Sequence, residues 1–162
     1  VFLRPLGLRL GADFSAIARK NEVKAYLIEN GYEVLDLGQN EGEDQLIYPE
    51  AAKRIALAVQ SGEAERGIIF CGTGGGVSIM ANKFRGVYCV ASESMYTAFK
   101  MRQLNGANVL AMGKNVAGEQ NTYEIVNLFL TTDFCQDFAP EREAFVNGLR
   151  RRMLEIEAEN LK

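Results

Sequence analysis

Apolar and polar residues alternate along the chain in blocks that predict short strands separated by helices. Five apolar runs have the length of strands, and the segments between them repeat apolar residues at helical spacing. This alternation is typical of a parallel sheet that helices cover on both faces. We therefore predict an α/β fold, a Rossmann-like three-layer sandwich with a five-stranded parallel sheet. Its predicted strands are residues 8–13, 32–37, 66–71, 87–91 and 107–112.

The predicted helices begin and end at residues that favour helix boundaries. Ser15 can cap the first helix, Asn30-Gly31 can end it, and Pro49 suits the first turn of the second. No repeat or linker interrupts the chain, so we predict a single domain over residues 1–162. It consists of an α/β core at about 8–140 and a C-terminal helix at 141–159. Between these helices, others are predicted over residues 77–83, 95–104 and 119–130.

The C-terminal helix carries an apolar stripe on an otherwise charged surface. Such a stripe is too apolar to remain in water, so it has to pack on the sheet of its own chain or on a partner. We expect a partner, with this helix contributing to a homodimer or a higher homo-oligomer. The stripe consists of Phe145, Val146, Leu149, Met153 and Ile156.

Composition narrows the classes of function. The 162 residues carry a net charge of −3 without a basic block, so we expect no nucleic-acid partner, and no apolar run is long enough to span a bilayer. Three widely spaced cysteines argue against a disulfide framework and favour a cytoplasmic setting. The chain has no histidine, which excludes Ser-His-Asp and Cys-His catalysis and most zinc chemistry. Proton transfer would fall to Cys, Asp, Glu, Lys or Tyr.

The stretch 68–78 is the strongest candidate for chemistry. Three apolar residues lead into Cys71, and the glycine-rich turn after it can direct several backbone N–H groups inward at the start of a helix. Such a loop is suited to hold a phosphate or an enolate oxygen, and a thiolate beside it can transfer protons or attack carbon. The same residues are compatible with a structural turn and a buried thiol. Asp13, Glu93 and Gly113 also stand at predicted strand ends, so we expect them at the same rim of the sheet.

Four segments of the chain, taken together, match the motifs of a known family. The run 71–87 opens with Cys-Gly-Thr-Gly, and Gly11-Ala12-Asp13 ends the first predicted strand. Tyr48-Pro49-Glu50 and the Asn-Gly-Ala-Asn-Val-Leu run at 105–110 follow in the expected order. These motifs resemble those of the ribose-5-phosphate isomerase B family, which includes the galactose-6-phosphate isomerase subunits. The resemblance covers most of the chain.

The resemblance implies an aldose–ketose isomerase for phosphorylated sugars that works through a cis-enediolate without a metal or other cofactor. It also implies a homodimer or larger assembly with sites at the subunit interface. Cys71 would be the base that moves a proton between C1 and C2, and Thr73 would assist at the sugar oxygens. Backbone amides would stabilise the enediolate oxygen, namely those of Gly72, Gly74, Gly75 and Gly76. The other substrate-binding residues that the resemblance implies are Asp13, Tyr48, Asn105, Lys114 and Arg142.

The chain departs from the family pattern at several positions. Leu104 replaces the histidine that opens the furanose ring, and Phe14 follows the first-strand aspartate where histidine is frequent. A family arginine after the fifth strand falls near Asn115, beside Lys114. Phe138 replaces one of two C-terminal arginines that bind phosphate. By this comparison the base and the anion hole are present, the ring-opening acid is absent, and the phosphate contacts are reduced or rebuilt.

These departures suggest a particular substrate class. A four-carbon sugar phosphorylated on O4 cannot close a furanose ring, so its isomerase needs no ring-opening acid. We therefore interpret the chain as an isomerase of a tetrose or tetrulose 4-phosphate, and keep a pentose or hexose phosphate isomerase with another ring opener as an alternative. Two further alternatives are a subunit that requires a related partner chain and a sugar-phosphate sensor without turnover.

Several candidate residues also have structural interpretations. Asp13 can act as a helix cap, Tyr48 as a core ring, and Arg142 as a solvated helix charge. Cys89 and Cys135 are interpreted as structural, since free cysteine packs as a small hydrophobe. A charged triplet in the last helix is interpreted as a solvated face or a contact to a neighbouring subunit, and it comprises Arg150, Arg151 and Arg152.

Overall fold

Five parallel strands form one sheet in the computed structural model, which describes residues 7–40 and 42–161. The order across the sheet is β2-β1-β3-β5-β4, so the predicted five-stranded parallel sheet is confirmed. Residues 1–6, 41 and 162 of the predicted domain lie outside the described residues. The strands are β1 Leu8–Ala12, β2 Val34–Asp36, β3 Arg66–Cys71, β4 Cys89–Ala91 and β5 Val109–Gly113.

Five of the six α-helices in the described residues cover the two faces of the sheet. Successive side chains of a strand point to opposite faces, so Ile68 and Phe70 belong to one core and Ile69 and Cys71 to the other. The first core is closed by α1, α4 and α5, and the second by α2 and α3. This arrangement confirms the three-layer sandwich. The helices are α1 Ile17–Glu29, α2 Tyr48–Gln60, α3 Gly75–Ala81, α4 Met95–Gln103, α5 Glu119–Thr131 and α6 Pro140–Asn160.

The edge strands β2 and β4 are shorter than the sequence predicts. Each has a single neighbour, and the predicted first residues of both runs bond elsewhere. The amide of Tyr32 donates to the carbonyl of Leu27 at 3.0 Å, and the amide of Val87 donates to that of Phe84 at 3.1 Å. These residues therefore finish the preceding turns instead of joining the ladder.

Two predicted helix boundaries need correction. The cap of the first helical turn is Asp13 and not Ser15, because the Asp13 carboxylate accepts from the Ser15 amide at 3.0 Å and from its hydroxyl at 2.7 Å. The last helix begins at Pro140 and not at residue 141, because a proline in the first turn of a helix loses no hydrogen bond through its missing N–H.

The final helix α6 contacts the rest of the chain at separated points along its length, from Val146 to Glu157. Glu157 accepts from the Gly86 amide at 2.8 Å and from the Tyr88 hydroxyl at 2.9 Å. Of the predicted apolar stripe, Val146 alone is buried. The exposed members are Phe145, Leu149, Met153 and Ile156. Within a single chain the stripe thus faces solvent, as it would if a partner covers it.

A buried lysine holds the segment between β2 and α2. The Lys20 ammonium is fully buried and donates to Asp36 at 2.5 Å and to Asn40 at 2.8 Å. Burial opposes ionisation of Asp36, but hydrogen bonds from Lys20 and from the Gly38 amide outweigh it, so the pKa of this carboxyl is lowered. The ion pair ties α1 to the end of β2 and to the loop that leads to Tyr48.

Candidate active site

The carboxyl ends of the strands bring three predicted site elements to one rim. The amide of Asp13 donates to the carbonyl of Phe70 at 3.2 Å, and the amide of Lys114 donates to the carbonyl of Cys71 at 2.9 Å. Cys71 lies directly opposite Gly113 in the β3–β5 register. Asp13, Cys71 and Lys114 are therefore neighbours because β1, β3 and β5 are adjacent and end together. Glu93 follows β4 at the same rim and is exposed.

The cysteine loop holds the sulfur of Cys71 toward its own backbone. Cys71 is 5% exposed, and its Sγ accepts a hydrogen bond from the Gly74 amide at 3.1 Å. Gly74 has φ +83, a conformation that side chains other than hydrogen rarely adopt. The sulfur thus lies at the edge of the core that α2 and α3 close, where the Gly74 amide joins it to a loop whose residue Thr73 is exposed.

Two of the four loop amides already have partners. The Gly74 amide is bonded to Cys71, and the Gly75 amide donates to the Thr73 hydroxyl oxygen at 3.3 Å. The expectation that four glycine amides all face a substrate oxygen is therefore refined. A ligand oxygen at this loop would compete with the thiol and hydroxyl for two of them.

Close packing explains why β5 ends in glycine. A Cβ at Gly113 would lie 2.6 Å from the backbone carbon of Thr73. No side chain fits there, so the loop can lie directly on the end of β5. The ring of Tyr48 packs in the same way on the other side of the loop, 3.1 Å from a Cβ placed on Gly76. Tyr48 is nearly half exposed, so its ring is not part of the core and packs against the loop instead.

Asn105 and Arg142 lie elsewhere in the chain. Asn105 precedes β5, whereas Cys71 is level with the last residue of β5, and the length of that strand separates the two by about 13 Å. Asn105, Leu104 and Arg142 instead line a shared cavity of ≈ 370 Å³ together with apolar residues of α6. Within one chain the predicted site residues therefore form two groups at opposite rims of the sheet.

Three residues that the sequence did not assign to the site gain contacts in the structure. Asn115 lies against the cysteine loop, because its amide donates to the Gly72 carbonyl at 3.2 Å. Arg150 is not a solvated charge, since it donates to the Asn105 carbonyl at 3.0 Å. Lys20 interrupts the apolar stripe of α1, and a lysine in such a stripe signals a buried partner.

The other two cysteines differ from Cys71 in their surroundings. Burial raises the pKa of Cys89 to about 12, although a hydrogen bond with Ser78 opposes the change, so this thiol stays protonated at neutral pH. Cys135 is buried beneath α6, where Asn147 contacts its sulfur at 3.8 Å. Both positions agree with structural roles.

The described residues contain neither a group of metal ligands nor a membrane-spanning helix. Within 7–40 and 42–161, no three His, Cys, Asp or Glu side chains are grouped so that they could hold a metal ion. Over the same residues, no helix has the length and apolar character that crossing a membrane requires.

The fold is an α/β parallel sheet with a glycine loop at its carboxyl rim, which is where ligands bind in folds of this class. Residues 8–144 match the family model described as Ribose/Galactose Isomerase. The chain belongs to this family, and it is an aldose–ketose sugar-phosphate isomerase. Family membership agrees with the resemblance found in the sequence motifs.

Individual relatives cover nearly the whole chain. A 4-deoxy-4-sulfo-D-erythrose isomerase from Clostridium sp. (strain MSTE9) is 43% identical, covering 91% of this chain and 93% of the relative. Ribose-5-phosphate isomerase B from Escherichia coli is 41% identical, covering 90% of this chain and 97% of the relative. A D-erythrulose-4-phosphate isomerase from Pectobacterium atrosepticum is 36% identical, covering 80% of this chain and 85% of the relative. The structure of Clostridium thermocellum ribose-5-phosphate isomerase B superposes on this chain with a TM-score of 0.82 and 35% identity. The superposition covers 94% of this chain and 97% of that structure.

Proposed function

We propose that this isomerase acts on an open-chain four-carbon sugar with an anionic group on C4, and that Cys71 is its catalytic base. The observation that carries the proposal is the Cys71 sulfur, which the Gly74 amide holds against the glycine loop at the carboxyl rim. In a family of aldose–ketose isomerases, a thiol in this position suits proton transfer between neighbouring carbons.

The proposed reaction needs one base and one site for negative charge. The Cys71 thiolate removes the C2 proton of the aldose, the C–H electron pair forms the C1–C2 double bond, and the negative charge moves to O1. Loop amides, including those of Gly72 and Gly76, stabilise that oxygen. Return of the proton to C1, with transfer of the O2 proton to O1, completes the ketose. The exposed Thr73 hydroxyl is suited to the transfer between the two oxygens.

Substrate size follows from the residue beside Asn105. Leu104 has no proton to donate or accept, so it cannot open a sugar ring. A tetrose whose C4 carries a phosphate or a sulfonate has no free O4 for a furanose ring, and it needs no such help. The relatives from Clostridium sp. and Pectobacterium atrosepticum are named for four-carbon substrates, one sulfonated and one phosphorylated, which supports this substrate class.

The proposed complete site combines residues of two chains. Cys71 lies at one rim of the sheet, while Asn105 and Arg142 share a cavity at the other, so one chain does not bring them together. Exposed apolar residues accompany both groups, with Phe14 and Ile79 near the cysteine loop and Leu149 on α6. A homodimer that covers these surfaces would place the Arg142 group of one chain over the Cys71 loop of its partner.

Mixing two inactive variants tests the shared site. Cys71→Ala and Arg142→Ala homodimers are each expected to have little activity. Chains unfolded and refolded together form mixed dimers in which one of the two sites keeps both residues, so about a quarter of all sites are intact. We therefore expect activity to return to about a quarter of the wild-type value in the mixture.

The matched control is Arg151→Ala, which removes an exposed arginine further along the same helix and should keep full activity. Failure of the mixture to recover, with each parent inactive, would place both residues in the site of a single chain. An active Arg142→Ala homodimer would remove Arg142 from the mechanism.

A panel of sugars tests the substrate class. We expect kcat/KM for erythrulose 4-phosphate or 4-deoxy-4-sulfo-erythrose to exceed that for ribose 5-phosphate by at least about tenfold, because only the pentose must be opened first. Galactose 6-phosphate serves as the hexose comparison. Faster turnover of ribose 5-phosphate than of either tetrose would contradict the proposal.

The same assay separates the two alternative functions. This chain itself carries both the cysteine loop and the Asn105–Arg142 group, which favours a homo-oligomer over a subunit that needs a related chain. Activity of the purified single chain would therefore exclude the partner-dependent subunit. A sensor would show a ligand-dependent rise in melting temperature while solvent deuterium stays out of the sugar.

A further inference from the structure

Three arginines line one cavity at the amino ends of the strands, whereas Cys71 lies at the carboxyl end of β3. Arg66 opens β3, Arg102 belongs to α4, and Arg150 belongs to α6. The cavity has a volume of ≈ 420 Å³, and Asn108 and Glu65 also line it. Arg66 and Cys71 stand at opposite ends of the same strand, about 16 Å apart, so this cavity is separate from the cysteine loop.

The three guanidinium groups are held by backbone carbonyls. Arg102 is 4% exposed and donates to the Thr132 carbonyl at 3.2 Å and to the Ala107 carbonyl. Arg66 donates to the Glu65 carbonyl at 2.9 Å, while its buried Nε has no hydrogen-bond partner among the described residues. Neutral acceptors orient these groups and leave their charge in place, so donors remain for an anion.

One carboxylate, Glu65, accompanies the three arginines in the lining of the cavity. Apart from Glu65, no Asp or Glu of residues 7–40 and 42–161 forms an ion pair within 4.0 Å with Arg66, Arg102 or Arg150. Burial lowers the pKa of Arg66, and the charges of Glu65 and Asp133 oppose this change; Asp133 also acts on Arg102. Burial and the neighbouring charges of Arg66 and Arg150 lower the pKa of Arg102 to about 10, which agrees with an excess of positive charge.

Two aromatic rings and two backbone carbonyls hold the Arg150 guanidinium beside the cavity. Its guanidinium stacks on the rings of Tyr88 and Phe134 at 5.4 and 5.1 Å and donates to the carbonyls of Asn105 and Gly106. A planar guanidinium held on two rings is poised for bidentate contacts to an oxyanion. The same side chain also lines the cavity that contains Asn105.

We propose that the cavity formed by Arg66, Arg102 and Arg150 is a second anion-binding site, which takes a phosphate group either free or as the ester of a small metabolite. Three converging guanidinium groups suit an oxyanion of more than one charge. The volume lies within the range of small-ligand sites. Of the three arginines only Arg150 also lines the cavity of Asn105 and Arg142, and Arg66 and Arg102 do not, so this is a separate cavity from the one proposed to cover the cysteine loop.

Thermal unfolding with phosphate tests the site. Wild type, Arg66→Gln and the control Arg151→Gln are compared in potassium phosphate and in potassium chloride of equal ionic strength. Phosphate at the substrate site affects all three proteins alike, so the difference between variants reports the cavity. We expect phosphate to raise the melting temperature of wild type and Arg151→Gln by about 3 °C more than that of Arg66→Gln. An equal rise in all three proteins, or none, would overturn the proposal.

Two additions keep the result interpretable. Arg66 is outside the isomerase machinery, so Arg66→Gln should keep wild-type isomerase activity, which shows that it is folded whatever sugar the enzyme prefers. If Arg66→Gln does not fold, Arg66→Met, which keeps an unbranched apolar stem, takes its place and should lose the same shift. A larger shift with glycerol 3-phosphate than with inorganic phosphate assigns the cavity to an ester, and the reverse assigns it to free phosphate.

Discussion

Cys71→Ala is expected to lower kcat by at least about two powers of ten, the usual scale for removal of a general base, while the protein stays folded. Alanine keeps the end of β3 and the glycine turn in place, and it removes only the sulfur that faces Gly74. The measurement is the initial rate of aldose–ketose conversion of a tetrose substrate, together with the melting temperature from circular dichroism. Entry of solvent deuterium into the sugar should fall by the same factor, because it reports the same proton transfer.

The matched control for this experiment is Cys89→Ala. Cys89 is 6% exposed, almost as buried as Cys71, but it lies at the start of the edge strand β4, away from the loop. Its removal should leave kcat within about twofold of wild type, since its thiol touches no loop residue that acts on substrate. If Cys71→Ala keeps more than a tenth of wild-type activity, another group is the base.

Lys20→Met is expected to lower the free energy of unfolding by about 3 kcal/mol. Its ammonium is fully buried and is bonded to Asp36, whose side chain is 6% exposed. Methionine fills the space of the lysine stem but leaves the buried carboxylate without its closest cation. Urea unfolding followed by circular dichroism measures the change. Because Asn40 also loses its donor, the loop before Tyr48 should open more readily in hydrogen exchange.

Lys24→Met is the control, since Lys24 contacts the same carboxylate at 3.2 Å from a side chain that is 37% exposed. Its replacement should cost less than about 1 kcal/mol, because exposed pairs contribute little. The pKa of Asp36 is lowered in the folded state, so its ionisation stabilises the protein at neutral pH, and that contribution is lost as the pH falls below about 4. Lys20→Met should lose stability less steeply than wild type over that range. Equal costs for the two lysine variants would contradict the importance of burial.

Much of the fold and part of the site could be predicted from local sequence. The strand before Cys71 is an unbroken apolar run, and such a run predicts a buried parallel strand whatever surrounds it. The glycine turn is equally local, because Gly74 adopts a positive φ that glycine tolerates. The edge strands were overestimated, since their outer residues have the composition of strands but have no second neighbour.

The features that the sequence did not predict depend on contacts between other segments of the chain. The exchange of Ser15 for Asp13 as the cap shows the smaller kind of error, in which a side chain two residues earlier accepts the hydrogen bond that caps the turn. The placement of Arg150 shows the larger kind, because a solvated arginine and one stacked on Tyr88 have the same local sequence. The sequence likewise did not predict that Asp36 is the buried partner of Lys20, because this contact depends on the pairing of β2 with β1.

The sequence by itself determined the identity and order of the strands and helices, the turn after Cys71, and the rim at which Asp13 and Cys71 meet. These features follow from periodicity, glycine geometry and the rule that parallel strands end together, and each acts within a few residues or within any parallel sheet. Only the tertiary structure decided that Asn105 and Arg142 lie at the opposite rim and that three arginines share one cavity. Those arrangements depend on the order of strands across the sheet and on the path of α6, which are set by burial and charge summed over the whole chain.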